Sequence, residues 1–401
     1  ANRGEIAIRV MRAANEMGKS TVAIFAEEDK LSLHRFKADE AYKIGQQMGP
    51  VAAYLNIQEI VSVAKMAGAD AIHPGYGLLS EKPEFAEACL EAGITFIGPS
   101  PKVMRELGNK AKAKKIAVKA GVPVIPASNI LPENTERLGV IAKELGLPLM
   151  LKASWGGGGR GMRLIKNLKD LEKSILEGKR EAENAFGNSE SFLEKYIENA
   201  RHVEVQILGD KDGNIYHLWE RDCSIQRRNQ KVIERAPAPY LTNTQRAELC
   251  HMAWKICQMV GYQCAGTVEF LMDMSSGNFF FIEVNPRIQV EHTVTEEVTG
   301  IDIVRAQIML AEGYSIVKAT GKERQDEIQC HGHALQCRIT TEDPLNNFIP
   351  DYGRITAYRG ATGMGIRLDG GTAYSGAIIT RFYDSLLEKV TAWAPTPEDA
   401  I

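Results

Sequence analysis

The chain has 401 residues, 44% of them hydrophobic and 25% charged, a globular composition with room for two or three domain cores. A formal charge of −3 supplies no electrostatic footprint for nucleic acid, and no apolar run approaches a membrane span, so the expected partner is a small molecule or another protein. Seven cysteines with no CxxC pair point to a reducing compartment rather than a disulfide framework, and Cys330-His331-Gly332-His333, lacking a second ligand pair, reads as structural.

Ala1-Asn2-Arg3-Gly4-Glu5 reads as a loop entering a helix, with a preceding strand expected outside the fragment. Ile6, Val10 and Ala14 recur at helical spacing, TVAIFA at 21–26 reads as a buried strand, and AIHPGYG, EFAEACLEAG and TFIGPS continue the alternation. Residues 1–107 are therefore expected to form a parallel, Rossmann-like α/β domain. The loop His73-Pro74-Gly75-Tyr76-Gly77 follows a strand end, where such sheets bind ligands, although a tight turn accounts for it equally well.

A second domain is expected over 108–320, opening on the lysine-rich helix start Gly108-Asn109-Lys110-Ala111-Lys112. Within it, 124–197 reads as a smaller unit: a helix at 133–145, the strand LPLMLKAS, the run Trp155-Gly156-Gly157-Gly158-Gly159-Arg160-Gly161, the strand-like MRLI and a long helix. Successive glycines expose backbone N–H groups, as a phosphate-covering loop must, and the run leads into a strand rather than a helix, so a mobile hairpin lid fits better than a Rossmann turn. Lys152 would then point at phosphates, a flexible linker being the plainer alternative. FLEKYI at 192–197 is a strand, and the alternation after it puts His202, Glu204 and Gln206 on one face. The segment from Asp222 to Lys231 is rich in basic and amide groups that could receive an anion. Helices are expected at 243–261 and 299–312, and from about 325 short strands, including HALQCRI and GIRLDGG, indicate a small, mostly β domain.

The densest chemistry lies in TVEFLMDMSSGNFFFIEVNPRIQVE, residues 267–291. It reads as a hairpin with the loop Ser275-Ser276-Gly277; with Met274 facing Asn278, Glu269 falls opposite Glu283, and Asn285 shares their face. Opposed carboxylates need a cation, and hard oxygen ligands suit Mg²⁺; an exposed hairpin with a register-shifting bulge is the alternative. An extended run after Pro286 would turn Arg287, Gln289 and Glu291 to one side, a cradle for a small anion with a base beside it.

Taken together, ANRGEIAIR, HPGYGLLSE, KASWGGGGRGMR, LEKYIENARHVEVQI, ERDCSIQRRNQK, FIEVNPRIQVEHTVTE and HALQCRITTEDP resemble the biotin carboxylase component of biotin-dependent carboxylases, an ATP-grasp family, over essentially the whole chain. The closing NNFIPDYGRITAYRGATGMGIRLDGG resembles most the pyruvate-carboxylating branch. The resemblance implies an N-terminal pre-ATP-grasp domain, an ATP-grasp domain with a lid and an incomplete C-terminal subdomain at 321–401. It implies ATP-dependent transfer of bicarbonate onto biotin, with Mg²⁺, or Mn²⁺ in its place, as the metal. Lys110, Lys152, Gly156, Gly157, Gly158, Gly159, Gly161, Glu194, Lys195, Ile197, His202, Gln226, Asn229 and Leu271 match nucleotide contacts, and Glu269, Glu283 and Asn285 the metal site. Lys231, Arg287, Gln289 and Val290 match the bicarbonate cradle, Glu291 the general base, and Arg338 the residue that stabilises the biotin enolate. Implied partners are a biotin carrier domain, whose lysine lies outside this fragment, a downstream carboxyltransferase and further copies of the chain; the implied location is the cytoplasm, or the mitochondrial matrix in a eukaryote. Asn229 stands where many members have His, and Arg235 where free-standing biotin carboxylases often carry an acid. Another ATP-grasp ligase would not need Arg287, Gln289, Glu291 and Arg338 together, and a non-catalytic ATP-binding module would need none of them.

Overall fold

The computed structural model describes residues 1–132, 136–153, 162–186 and 189–401. The glycine run from Gly156 to Gly161 lies outside the described residues, as does the start of the helix expected at 133. The chain divides into two compact units, one of Ala1–Val122, His202–Phe270 and Glu283–Ile401, the other of Pro123–Arg201 and Leu271–Ile282.

In the first unit, helix Gly4–Glu16 precedes two parallel strand pairs, Val22–Phe25 with Glu40–Lys43 and Ala71–Ile72 with Thr95–Phe96. Ile24, Ile44, Ile60, Ile72, Phe85 and Phe96 form the core, with Phe85 edge-on to Phe96 at 5.8 Å between ring centres. The loop at His73 is locked from several sides. His73 Nε2 lies 3.1 Å from Gln307 Oε1, and Asn2 Nδ2 donates to the carbonyls of Pro74 and Tyr76 at 2.7 and 2.8 Å. Gly75 has φ +65°, and a Cβ there would lie 2.7 Å from Asn2, so glycine is required twice over.

The site depends on an eight-stranded sheet. In spatial order its strands are Phe279–Asn285, Cys264–Asp273, Ala200–Gly209, Ile215–Arg227, Gln230–Ala236, His333–Thr340, Leu386–Ala394 and Ile366–Gly370. The C-terminal strands His333–Thr340, Leu386–Ala394 and Ile366–Gly370 are part of this sheet. Helix Asn243–Val260 packs on Ile215–Arg227; Thr242 and Gln245 close its N-terminus as a capping box, and Gly261 ends it at φ 61°. The helix expected over 299–312 is Ile303–Ala311, and an additional helix, His292–Thr299, precedes it; between them Gly300 turns left-handed at φ 69° and Asp302 caps the second helix through Arg305 N–H.

The second unit is a three-stranded antiparallel sheet in the order Arg163–Ile165, Leu149–Ala153, Ser191–Lys195, with helices Glu136–Leu145 and Leu171–Phe186. Leu138, Ala142, Leu149, Leu151, Ile165, Leu171, Ile175 and Leu193 are its core.

Two registers depart from simple alternation. Lys231 pairs with Gln226 but Ile233 with Ile225, so one extra residue bulges between them on the strand Gln230–Ala236. In the expected hairpin, Asp273 N–H donates to Asn278 O at 2.9 Å, giving the four-residue loop 274–277 in place of three. Carried unbroken, that register would set Glu269 opposite Ile282 and on the other face from Asn285. Asn285 Nδ2 nevertheless donates to Glu269 Oε1 at 2.8 Å, so the ladder shifts between the loop and the site.

A Cβ on Gly209 would lie 2.1 Å from the Tyr262 carbonyl oxygen. Backbone cannot swing aside as a side-chain tip can, so Gly209→Ala should cost roughly 1–3 kcal/mol as overpacking does. Urea unfolding should show a lower midpoint at unchanged slope; a midpoint equal to wild type would show that the close approach relaxes freely.

Candidate active site

One face of the eight-stranded sheet carries polar side chains and is nevertheless buried. His202, Glu204 and Gln206 do share a face, but helix His292–Thr299, packed against four of the strands, covers much of the polar surface that solvent would otherwise reach. Arg221, across from Glu204 in the register, is fully buried. It donates to Glu204 Oε1 at 2.6 Å, Gln206 Oε1 at 2.8 Å, and Thr295 and Thr267 hydroxyls at 3.0 Å, so all three guanidinium nitrogens of this buried cation donate hydrogen bonds.

Lys231 sits at the centre. Its Nζ lies 2.5 Å from Glu204 Oε2, 2.7 Å from Glu291 Oε1 and 2.8 Å from Glu269 Oε1. Burial lowers its affinity for a proton, and the charges of Glu204, Glu291 and Glu269 more than reverse this, raising it well above the ordinary lysine value. Glu291 is buried too, which would favour its neutral form, yet Lys231, Arg338 and Arg221 hold it well below the usual carboxylate range. Glu291 is the residue before helix His292–Thr299 but does not cap it, which leaves its carboxylate to the two cations. Arg338 Nη2 reaches Glu291 Oε2 at 3.0 Å.

Glu269 is the second junction. Its Oε1 accepts from Lys231, Asn285 and, at 3.2 Å, Gln289, while Oε2 lies 2.8 Å from His202 Nε2. Burial opposes its ionisation, but Lys231 and His202 keep it below the usual range; His202 is correspondingly raised against its own burial. Gln226 Nε2 contacts His202 Nδ1 at 2.8 Å. Glu283 pairs instead with Lys110 at 2.9 Å, with the lysine side chain 78% exposed. Thus the expected like-charge pair is not bare: separate cations hold its two members.

Arg287, Gln289 and Glu291 are expected on one extended run, but residues 286–291 form an irregular turn before the helix. Arg287 still meets Gln289 Oε1 at 2.8 Å and Asn285 Oδ1 at 3.2 Å, and its Nε pairs with Glu81 at 2.5 Å. The Val290 carbonyl accepts from buried Lys389 at 3.0 Å. In the second unit Lys152 is paired with Glu194, and Lys195 Nζ donates to the carbonyls of Gly146 and Leu147 at 2.9 and 2.7 Å. Ile197 and Leu271 are half-buried there. Asn229 is exposed in a two-residue turn with Arg228, at φ 64° and 51°, where asparagine tolerates the left-handed backbone a hairpin demands. Arg235 pairs with Asp222 at 2.9 Å.

Sequence reasoning missed Glu81, Arg221, Glu234 and Lys389. Glu234 is fully buried and accepts from Arg338 Nε at 2.7 Å and Gln336 Nε2 at 2.8 Å. Strict alternation puts it on the opposite face from Lys231; the bulge after Lys231 brings both to one side. Burial and the charge of Glu291 push Glu234 up to about 7 against the pull of Arg338.

Family models match along the chain: "Biotin carboxylase, N-terminal domain" at residues 1–104, "Carbamoyl-phosphate synthase L chain, ATP binding domain" at 109–319 and "Biotin carboxylase C-terminal domain" at 336–401. A solved 2-oxoglutarate carboxylase biotin carboxylase domain from Hydrogenobacter thermophilus, in complex with MgADP, ADP and bicarbonate, is 48% identical with TM-score 0.90, covering 100% of this chain and 86% of that one. The chain belongs to the biotin carboxylase family. Within it, pyruvate carboxylase of Staphylococcus aureus is 53% identical over 395 residues, 98% of this chain and 34% of the relative. The solved pyruvate carboxylase of Rhizobium etli with acetyl coenzyme-A is 63% identical with TM-score 0.90, covering 100% of this chain and 36% of that one. The chain thus spans about a third of the length of the pyruvate carboxylases it matches.

Glu234 gives this site a measurable acid–base signature. Its folded value lies above the ordinary 4.5, so its contribution to stability is complete below 4.5 and is lost as pH rises to about 7. Glu234→Gln removes that loss, and the variant should gain stability relative to wild type between pH 5 and pH 8 in urea unfolding. A difference that does not change with pH would place Glu234 in an ordinary carboxylate environment.

Proposed function

We propose that this chain carries out the biotin carboxylase half-reaction, ATP-dependent carboxylation of biotin by bicarbonate, within a protein that passes the carboxyl group to pyruvate. The observation that carries the reading is a buried carboxylate, Glu291, held between Lys231 and Arg338 beside the amide and guanidinium of Gln289 and Arg287. The family assignment and the pyruvate carboxylase relatives support it.

In this reading Glu291 takes the bicarbonate proton, and the bicarbonate oxygen attacks the ATP γ-phosphorus as ADP leaves. Carboxyphosphate breaks down to CO₂ and phosphate, phosphate takes the biotin ureido proton, and the ureido nitrogen bonds to CO₂. The partners that hold Glu291 ionised also make it a weak base. An anion entering the cradle draws hydrogen bonds from Lys231 and Arg338, and Glu291 regains basicity as they are shared. Arg338 then faces the charge that develops on the ureido oxygen.

Two carboxylates and an amide oxygen are a hard donor set that fits Mg²⁺, or Mn²⁺, so Glu269, Glu283 and Asn285 would hold the metal. The metal would offset charge on the transferring phosphoryl oxygens. Lys110, Lys152, the glycines from Gly156 to Gly161, Glu194, Lys195, Ile197, His202, Gln226, Asn229 and Leu271 are proposed for the nucleotide by their match to the family's motifs. The three family regions are proposed at 1–107, 108–320, with a lid near 124–197, and 321–401. A biotin carrier domain, a carboxyltransferase and further copies of the chain are the proposed partners. No described helix is long and apolar enough to cross a membrane, and a cytoplasmic or matrix location is proposed.

Lys110 is largely exposed, so its pair with Glu283 is worth little. Glu283→Gln should therefore leave metal-free thermal stability within about 0.5 kcal/mol while raising the Mg²⁺ concentration needed for ATP cleavage. An unchanged Mg²⁺ dependence would remove Glu283 from the metal site. Glu291→Gln should reduce bicarbonate-dependent ADP release roughly 10²–10⁴-fold with or without biotin. Arg338→Gln should retain a slow bicarbonate-dependent release and lose its stimulation by free biotin. Equal loss of both activities in Arg338→Gln would assign that residue to bicarbonate activation instead.

A further inference from the structure

We propose that Glu234 is the positioning residue that aims Arg338 at the reacting biotin, with Gln336 bracing it from behind; this rests on the biotin carboxylase reading above. Glu234 Oε1 takes Arg338 Nε at 2.7 Å and lies 2.6 Å from Nη2, gripping one edge of the guanidinium plane. Nη2 also reaches Glu291 Oε2 at 3.0 Å. None of these bonds uses Nη1, which is left for an incoming oxygen.

The grip is itself held. Glu234 lies directly opposite Gln336 in the strand register, and Gln336 Nε2 donates to Glu234 Oε2 at 2.8 Å. Gln336 Oε1 accepts from the Thr293 hydroxyl at 2.5 Å, and that hydroxyl lies 2.8 Å from Thr391 Oγ1. Glu234, Gln336, Thr293 and Thr391 are buried, whereas the Arg338 side chain is 20% exposed. An arginine with several rotatable bonds is therefore tethered at its edge by a chain with almost no freedom, while its outer end meets the site. A structural salt bridge would not require the strand to bulge at Lys231 and bring Glu234 round to the base. Burial, which pushes the Glu234 carboxyl up to about 7, makes a neutral amide a mild replacement at this position.

The acceptor oxygen, rather than the negative charge, is what aiming needs. In the full chain, ADP release is measured with ATP, Mg²⁺ and bicarbonate, with and without free biotin. Wild type must show bicarbonate-dependent release; if it does not, the function reading fails whatever Glu234 does. Glu234→Gln keeps an oxygen in place and should hold the biotin-stimulated rate within roughly fivefold of wild type. Glu234→Ala should lower that rate roughly 10- to 100-fold more than the biotin-independent rate, with the loss in kcat rather than in KM for biotin. Gln336→Met, which removes the brace, should produce a smaller loss of the same selectivity. The proposal is overturned if Glu234→Ala keeps its biotin stimulation, if Glu234→Gln falls as far as Glu234→Ala, or if both rates fall together. Should Glu234→Ala fail to bind nucleotide, Gln336→Met decides alone: a selective loss supports the aiming role and a parallel loss of both rates overturns it.

Discussion

The Lys231 ammonium, within 2.8 Å of Glu204, Glu269 and Glu291, is the interaction on which the site depends. Three carboxylates cannot share a buried space without a cation between them, and removing one partner from such a cluster costs roughly 3–5 kcal/mol. The cluster is close to electroneutral. Glu204, Glu234, Glu269 and Glu291 face Lys231, Arg221 and Arg338, with His202 raised toward its charged form beside Glu269. Atoms of His202, Glu204 and Glu269 lie within 4.8 Å of one another, yet Lys231 already supplies positive charge to two of the three.

That balance makes the site responsive to ligands. Glu269 is shared among Lys231, His202, Asn285 and Gln289, so any cation that engages it competes with all four. Glu291 is shared between Lys231 and Arg338, so its proton affinity depends on what else those two cations contact. Asn285, Glu269, Lys231, Glu291 and Arg338 are consecutive links of one chain of hydrogen bonds and ion pairs, whose members polarise one another.

The backbone makes the chain of contacts possible by breaking its own rules. A bulge after Lys231 brings Lys231 and Glu234 to one face, a register shift in the hairpin brings Glu269 to Asn285, and Gly300 ends the helix that covers the polar face. A regular sheet would scatter these residues over both faces.

Local pattern was enough to read the alternation of His202, Glu204 and Gln206, the helix from Asn243, the strand His333–Thr340 and the acidic hairpin around Glu269. Each is written in a few adjacent residues, in their period or their turn chemistry. Alternation after Pro286 also singled out Glu291, and the family resemblance joined it to Lys231 and Arg338, which no local period connects. Helix His292–Thr299 escaped because His-Thr-Val-Thr-Glu-Glu-Val-Thr is poor in strong helix formers and is held by burial against the sheet; Gly300 was its one terminal signal. Arg221, Glu234 and Lys389 look in sequence like ordinary surface charges, and only long-range pairing makes them buried partners of Glu204, Arg338 and Glu5. The amino-acid sequence determined which chemistry this protein carries, because residue types and local periods are legible one segment at a time. The tertiary structure alone decided which charges meet, because bulges and register are set by packing between segments that lie far apart in the chain.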